Sequence, residues 1–214
     1  MIDKTISHYR ITAKLGEGGM GVVYKAEDTK LKRSVALKFL PIDKLEGEEE
    51  KARFLREAQA AAVLNHPNIC TIYEIDEAGG HTFIAMEFVE GPSVKQKIES
   101  RPLKLEEALD IAVQVGQGLQ VAHQNAVVHR DIKSSNVMVT AQGLVKVMDF
   151  GLAQLGDRSK LTRTGSPLGT PAYMSPEQAQ GQPTDRRSDI WSLGCCFTRW
   201  SAGSCRSRVR LRRR

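Results

Sequence analysis

The 214 residues are 41% hydrophobic and 26% charged, enough apolar content for one large domain or two small lobes. No run of about eighteen apolar residues could span a membrane, residues 1–6 lack a signal-peptide core, and Cys70, Cys195, Cys196 and Cys205 show neither metal spacing nor a disulfide framework, so a reducing cytoplasm is expected. The net charge of +6 belongs to the tail: Arg199, Arg206, Arg208, Arg210, Arg212, Arg213 and Arg214 follow Cys196 with no acidic residue, and without these seven the balance is 24 basic to 25 acidic, which argues against nucleic-acid binding.

The first third reads as strands. Residues 9–15 alternate, glycines follow, and 22–26 and 34–40 give two further strands. A charged segment from Glu46 leads into a helix with Phe54, Ala58, Ala61 and Ala62 on one face, closed by Pro67. Strands around 69–75 and 82–88 are joined by a Gly79-Gly80 turn. From residue 93 the period changes, and Ala108, Ile111, Ala112, Val115, Leu119 and Ala122 follow the spacing of a long core-facing helix. A loop, a hairpin-like stretch at 137–147, a polar segment at about 156–171 and a helix beginning near Asp189 complete the layout. There are no internal repeats.

The chemistry concentrates in His129-Arg130-Asp131-Ile132-Lys133-Ser134-Ser135-Asn136, followed thirteen residues after Asn136 by Asp149-Phe150-Gly151. Two carboxylates and an amide on short loops suit phosphoryl transfer: one carboxylate orients and deprotonates a hydroxyl, and the other, with the amide oxygen, holds Mg²⁺. Gly16-Glu17-Gly18-Gly19-Met20-Gly21 lies between two strand patterns. Alone it fits a glycine-rich hairpin or a dinucleotide-binding turn as well as a phosphate-covering loop. A dinucleotide turn should open a helix, whereas a second β pattern follows here.

Together these motifs resemble the protein kinase family over roughly residues 9 to 196, and their details are most similar to bacterial serine/threonine kinases of eukaryotic (Hanks) type. The resemblance implies an α+β, bilobal, protein-kinase-like fold. A β-rich N-lobe with one main helix (about 9–88) meets a hinge (about 87–91) and a mainly helical, incomplete C-lobe (about 92–196). It implies transfer of the ATP γ-phosphate to Ser/Thr hydroxyls of protein substrates, with Mg²⁺ or alternatively Mn²⁺. Asp131 is then the catalytic base, Asn136 and Asp149 the metal ligands, and Lys133 a contact to the transferred phosphate. Lys38, in Val35-Ala36-Leu37-Lys38, would bind phosphate and pair with Glu57 on the N-lobe helix. Leu15, Gly16, Gly18, Gly21, Val23, Ala36, Met86 and Met138 would line the nucleotide slot, and the backbone of Glu87 and Val89 would meet the adenine edge. His129 and Phe150 are expected to pack as a structural column with Ala61 and Ile72.

Gly169-Thr170-Pro171-Ala172-Tyr173-Met174-Ser175-Pro176-Glu177 resembles the family's substrate-docking segment. Thr170 would help Asp131 and Lys133 place the acceptor hydroxyl, and Glu177 would pair with a late arginine. Thr162, Thr164 and Ser166 are candidate autophosphorylation sites reached by self-association, and a phosphate there could pair with Arg130. Ser134 departs from the branch, which usually has proline.

A second departure follows Cys196. The family continues with an apolar segment, but residues 197–207 do not. Back-translated with permitted codons, residues 196–207 read in a shifted frame as Leu-Tyr-Glu-Met-Val-Ser-Gly-Gln-Leu-Pro-Phe, and one restored base supplies the preceding valine. Residues 197–214 are therefore expected to be a frameshifted basic tail. The central helix should end at Thr198-Arg199, core surface should be exposed, and activity should be weak. An intact gene product could continue into a membrane-anchoring region. The competing expectation is a non-catalytic ATP-binding remnant or scaffold.

Overall fold

The computed structural model describes residues 1–18, 21–40, 48–150 and 171–202. Two-residue β1 (Thr5–Ile6) precedes β2 (Tyr9–Gly18), β3 (Gly21–Asp28) and β4 (Arg33–Phe39). Helix α1 (Glu48–Ala62) follows, then β5 (Ile72–Ala78) and β6 (His81–Glu87). These strands form one antiparallel sheet in the order β1-β2-β3-β4-β6-β5. Between β5 and β6, Gly79 and Gly80 take φ of 61° and 75°, the left-handed pair that a two-residue hairpin needs.

Strand β4 is buried on both faces, and its period of two sorts the residues. Val35, Leu37 and Phe39 pack with Tyr9, Ile11, Ala26, Phe83 and Ala85 in one cluster. Ala36 joins Ala58 of α1, Cys70, Ile84, Met86 and Val89 in another. Lys38, two residues from Ala36, shares that second face and is buried.

The second half is helical. Helix α2 (Val94–Ser100) opens on a capping box in which the Ser93 hydroxyl accepts from Gln96 N–H at 3.3 Å. Helix α3 (Leu105–Gln124) buries Ala108, Ile111, Val115, Leu119 and Ala122 at the predicted helical spacing. The hairpin β7 (Val137–Val139) and β8 (Val145–Val147) contributes four further valine side chains to the same core, whose largest cluster also holds Ala61 and Ile69. Helix α4 (Pro176–Ala179) carries its own capping box at Ser175, and α5 (Arg186–Ala202) crosses the base.

Helix α5 does not end at Thr198-Arg199 as expected but continues to Ala202. Ser188, Ser192, Cys196 and Trp200 recur every four residues and form a single buried stripe. Trp200 is fully buried, its indole N–H donates to Ser134 Oγ at 2.9 Å, and its carbonyl accepts from Leu103 N–H at 2.8 Å. On the outer face Ile190 and Trp191 are exposed.

The two halves meet through the short run between β6 and α2. Gly91 lies in it with φ of 155°, and a Cβ built there would fall 2.1 Å from the carbonyl oxygen of Val139. Only glycine fits that approach.

Candidate active site

The floor of the site is a loop fixed by a buried carboxylate. Asp189, near the start of α5, is fully buried and accepts from His129 N–H (2.9 Å), Arg130 N–H (2.7 Å) and the His123 ring (2.8 Å). A buried carboxylate is stable only with such partners. Arg130 takes the left-handed conformation (φ 66°), which costs energy for a residue with a Cβ. Its N–H bond to Asp189 secures the turn. Sequence reasoning placed Asp189 only at a helix start, because its contacts lie about sixty residues away in the chain.

The ring of His129 is fully buried, bonds the Met148 carbonyl through Nε2 at 2.8 Å and accepts from Asp131 N–H through Nδ1 at 3.2 Å. It packs on Phe150 with ring centroids 4.6 Å apart, in the same core as Ala61 and Ile72, as the expected column requires. His129 thereby links the Asp131 loop to the strand end that carries Asp149.

Around Asp131 the predicted residues converge. Lys133 Nζ donates to Asp131 Oδ2 at 2.6 Å, and Asn136 Nδ2 donates to Asp131 O at 2.9 Å and to Oδ2 at 3.1 Å. The Asn136 amide is thus oriented with its oxygen left as an acceptor. Asp149, at φ 60°, keeps a quarter of its side-chain surface exposed and lies 2.8 Å from Lys38 Nζ. Its carboxyl is held below the usual range: burial pushes it up, but the charge and hydrogen bond of Lys38 outweigh that, with help from His129 and Lys133.

The expected Lys38–Glu57 pair is replaced. Lys38 pairs with Asp149, and Glu57 faces Arg130 Nη1 at 3.6 Å. Lys38 is 3% exposed, and an ammonium so buried requires a close carboxylate. Asp149 supplies it from below while Arg130 competes for Glu57. Both pairs cross from the sheet half to the helical half.

The residues expected to line a nucleotide slot come together in part. Ala36, Met86 and Val89 are buried in one cluster, with Val23 and Met138 packed against it. Ala36 is opposite Met86 in the β4–β6 register, and Val23 is opposite Lys38 in β3–β4. Leu15 is exposed on β2 beside Gly16, and Gly18 pairs with Gly21 at the end of the β2–β3 ladder. At Glu87, the Cys70 thiol donates to the backbone carbonyl at 3.6 Å, and burial pushes that thiol up so that it stays protonated. Thr170, Thr162, Thr164, Ser166, Gly151 and residues 203–214 lie outside the described residues, as does the Phe54 side chain.

The segment expected to dock substrate is described from Pro171. Its 3₁₀ turn (Pro171–Tyr173) is held by Ser192 Oγ donating to Tyr173 O at 2.8 Å and by a 3.1 Å contact between the Tyr173 and Ser134 hydroxyls. Among the described residues Glu177 takes Ser188 Oγ at 2.5 Å, and that bond holds its carboxyl below the usual range. Gln178 Nε2 donates to Arg130 O at 2.7 Å, tying this segment to the Asp131 loop.

The family described as "Protein kinase domain" matches residues 9–207. The serine/threonine-protein kinase PrkC of Bacillus subtilis is 45% identical over 196 residues, covering 91% of this chain and 30% of PrkC. The serine/threonine-protein kinase PknB of Mycobacterium leprae is 42% identical over 193 residues, covering 87% and 31%. The crystal structure of the Mycobacterium tuberculosis PknI kinase domain matches with a TM-score of 0.79 at 30% identity, over 95% of this chain and 76% of that one. The chain spans less than a third of the length of these curated relatives.

Proposed function

The chain belongs to the protein kinase family, and we propose that it transfers the γ-phosphate of ATP to serine or threonine hydroxyls of proteins. The convergence of Lys133 and Asn136 on the Asp131 carboxylate, beside Asp149, supports this most directly. Asp131 would accept the proton of the acceptor hydroxyl as its oxygen attacks phosphorus. Lys133, 2.6 Å from that carboxylate, would turn one N–H to the phosphoryl oxygens. Lys38 would leave Asp149 for the nucleotide phosphates, and Glu57 would exchange Arg130 for Lys38. Backbone N–H groups of the Gly16–Gly21 segment would cover the phosphates. Thr170 would position the acceptor.

The donor set fits a magnesium-bound nucleotide. Asn136 presents an amide oxygen and Asp149 a partly exposed carboxylate, and Mg²⁺ needs few protein oxygens when phosphates and water supply the rest. Mn²⁺ accepts the same donors. Such an ion would neutralise charge developing on the phosphates. The apolar cluster of Val23, Ala36, Met86 and Met138, with the Glu87 and Val89 backbone at its edge, suits a purine.

Phosphorylation at Thr162, Thr164 or Ser166 through self-association would draw Arg130 from Glu57 and favour that exchange. No described helix is long and apolar enough to cross a membrane. We further propose that residues 197–214 derive from a shifted frame. Sequencing the DNA across codons 185–214 decides the frame.

The activity is tested by incubating the purified chain with labelled ATP, Mg²⁺ and a serine/threonine-containing protein. Label on Ser or Thr, lost in Asp131→Asn, is the expected result. Nucleotide-dependent thermal stabilisation without transfer would favour the non-catalytic remnant instead.

A further inference from the structure

Residues 68–71, between α1 and β5, form a filler between the two halves. Val147 N–H donates to Asn68 O and Cys70 N–H to Val147 O, both at 2.9 Å, while Glu87 N–H donates to Thr71 O at 2.9 Å. Across this filler a single side chain joins β8 to the end of β6. Lys146, 8% exposed, donates from Nζ to Glu87 Oε2 at 2.8 Å. The same carboxylate oxygen accepts from Thr71 N–H at 3.2 Å. With the Cys70 thiol on its carbonyl, Glu87 is held at its side chain, its N–H and its oxygen. Lys146 belongs to none of the groups that would carry out phosphate transfer, yet a buried ammonium is costly unless its pairing serves something.

We propose that Lys146 is a positioning residue that sets purine selectivity by pinning Glu87. The inference rests on the nucleotide reading of the site, in which the Glu87 carbonyl meets the purine edge. A carbonyl fixed there accepts from a 6-amino purine. Against a 6-oxo purine it sets acceptor against acceptor and leaves the 6-oxo oxygen without a donor. A loosened Glu87 could rotate its following peptide and offer an N–H instead, which admits the 6-oxo ring. Lys146 prevents this from three residues before Asp149, so base choice is enforced from the helical half, although the base rests against the sheet half.

The test compares the wild-type chain with Lys146→Arg, Lys146→Gln and Lys146→Met. Dissociation constants for Mg·ATP and Mg·GTP are measured by nucleotide-induced shift of the unfolding temperature and by competition with a fluorescent ATP analogue. The ATP-to-GTP preference is taken within each variant, so a general loss of stability cancels. The preference should fall about tenfold in Lys146→Met, less in Lys146→Gln, and be retained by Lys146→Arg. If Lys146→Met does not fold, the Gln and Arg variants still give the comparison. ATP binding with an unchanged preference in Gln and Met overturns the inference alone. A wild-type chain that binds neither nucleotide overturns the inference together with the nucleotide reading.

Discussion

The loop carrying Asp131 and the strand carrying Lys38 would face the proposed reaction from opposite sides, but they are held differently. Below, the loop is held mainly by short hydrogen bonds: Asp189 holds two backbone N–H groups and His123, His129 bonds Met148 O, and Gln178 donates to Arg130 O. Above, Lys38 and Glu57 are held by ion pairs that reach into the other half, to Asp149 and Arg130. The lower arrangement is built mostly from backbone N–H groups and buried rings. The upper one consists of two cations and two carboxylates that can be re-paired. One half of the site is preassembled, and the other is set by which charges meet.

The sharpest break in that comparison comes at Asp131, the carboxylate proposed to react. Asp131→Asn should lower phosphate transfer by about 10²–10⁴-fold while nucleotide-induced thermal stabilisation persists, as labelled-ATP and melting assays would read. Next, Asp189→Ala would strip the floor of its acceptor and should cost about 3–5 kcal/mol in urea denaturation. A loss below about 1 kcal/mol would mean that the loop is not held from beneath.

The upper half has a pH signature. The Asp149 carboxyl is depressed below its ordinary 3.8, so the stabilisation it gains from Lys38 is fully present above that value and is lost as pH falls beneath it. The stability gap between wild type and Lys38→Met should therefore be constant above about pH 4 and narrow below it. A gap that does not change with acid would mean that the two groups are not paired in solution. The smallest effect is expected for Glu57→Gln, whose partner Arg130 stands 3.6 Å away at a partly exposed site. About 0.5–1 kcal/mol of thermal stability is at stake there.

This division also explains what could be read from the residues alone. Strand β2 and helix α3 were visible because their burial follows a local period, and β3 to β6 because short apolar runs stand between turn residues. The Asp131–Asn136 loop was visible because its chemistry is contiguous. The role of Asp189 was not, since an aspartate in a helix's first turn reads as favourable to the helix dipole, and only the fold brings it under His129. The partner of Lys38 is not legible because Asp149 and Arg130, both distant in the chain, pair with Lys38 and Glu57, and no spacing rule foresees that. The continuation of α5 was missed because its buried stripe of Ser188, Ser192, Cys196 and Trp200 is half serine, a weak hydrophobic signal. Strand β1, only two residues long, is too short to show any period.

The bare contact between Gly91 and Val139 has a mechanical meaning. Backbone touches backbone there, with no side chain to compress or rearrange. Any swing of the sheet half against the helical half would work against a hard fulcrum, not a cushion. A saturation library selected for folding should come back with glycine alone at position 91, while its neighbours Glu90 and Pro92 tolerate exchange.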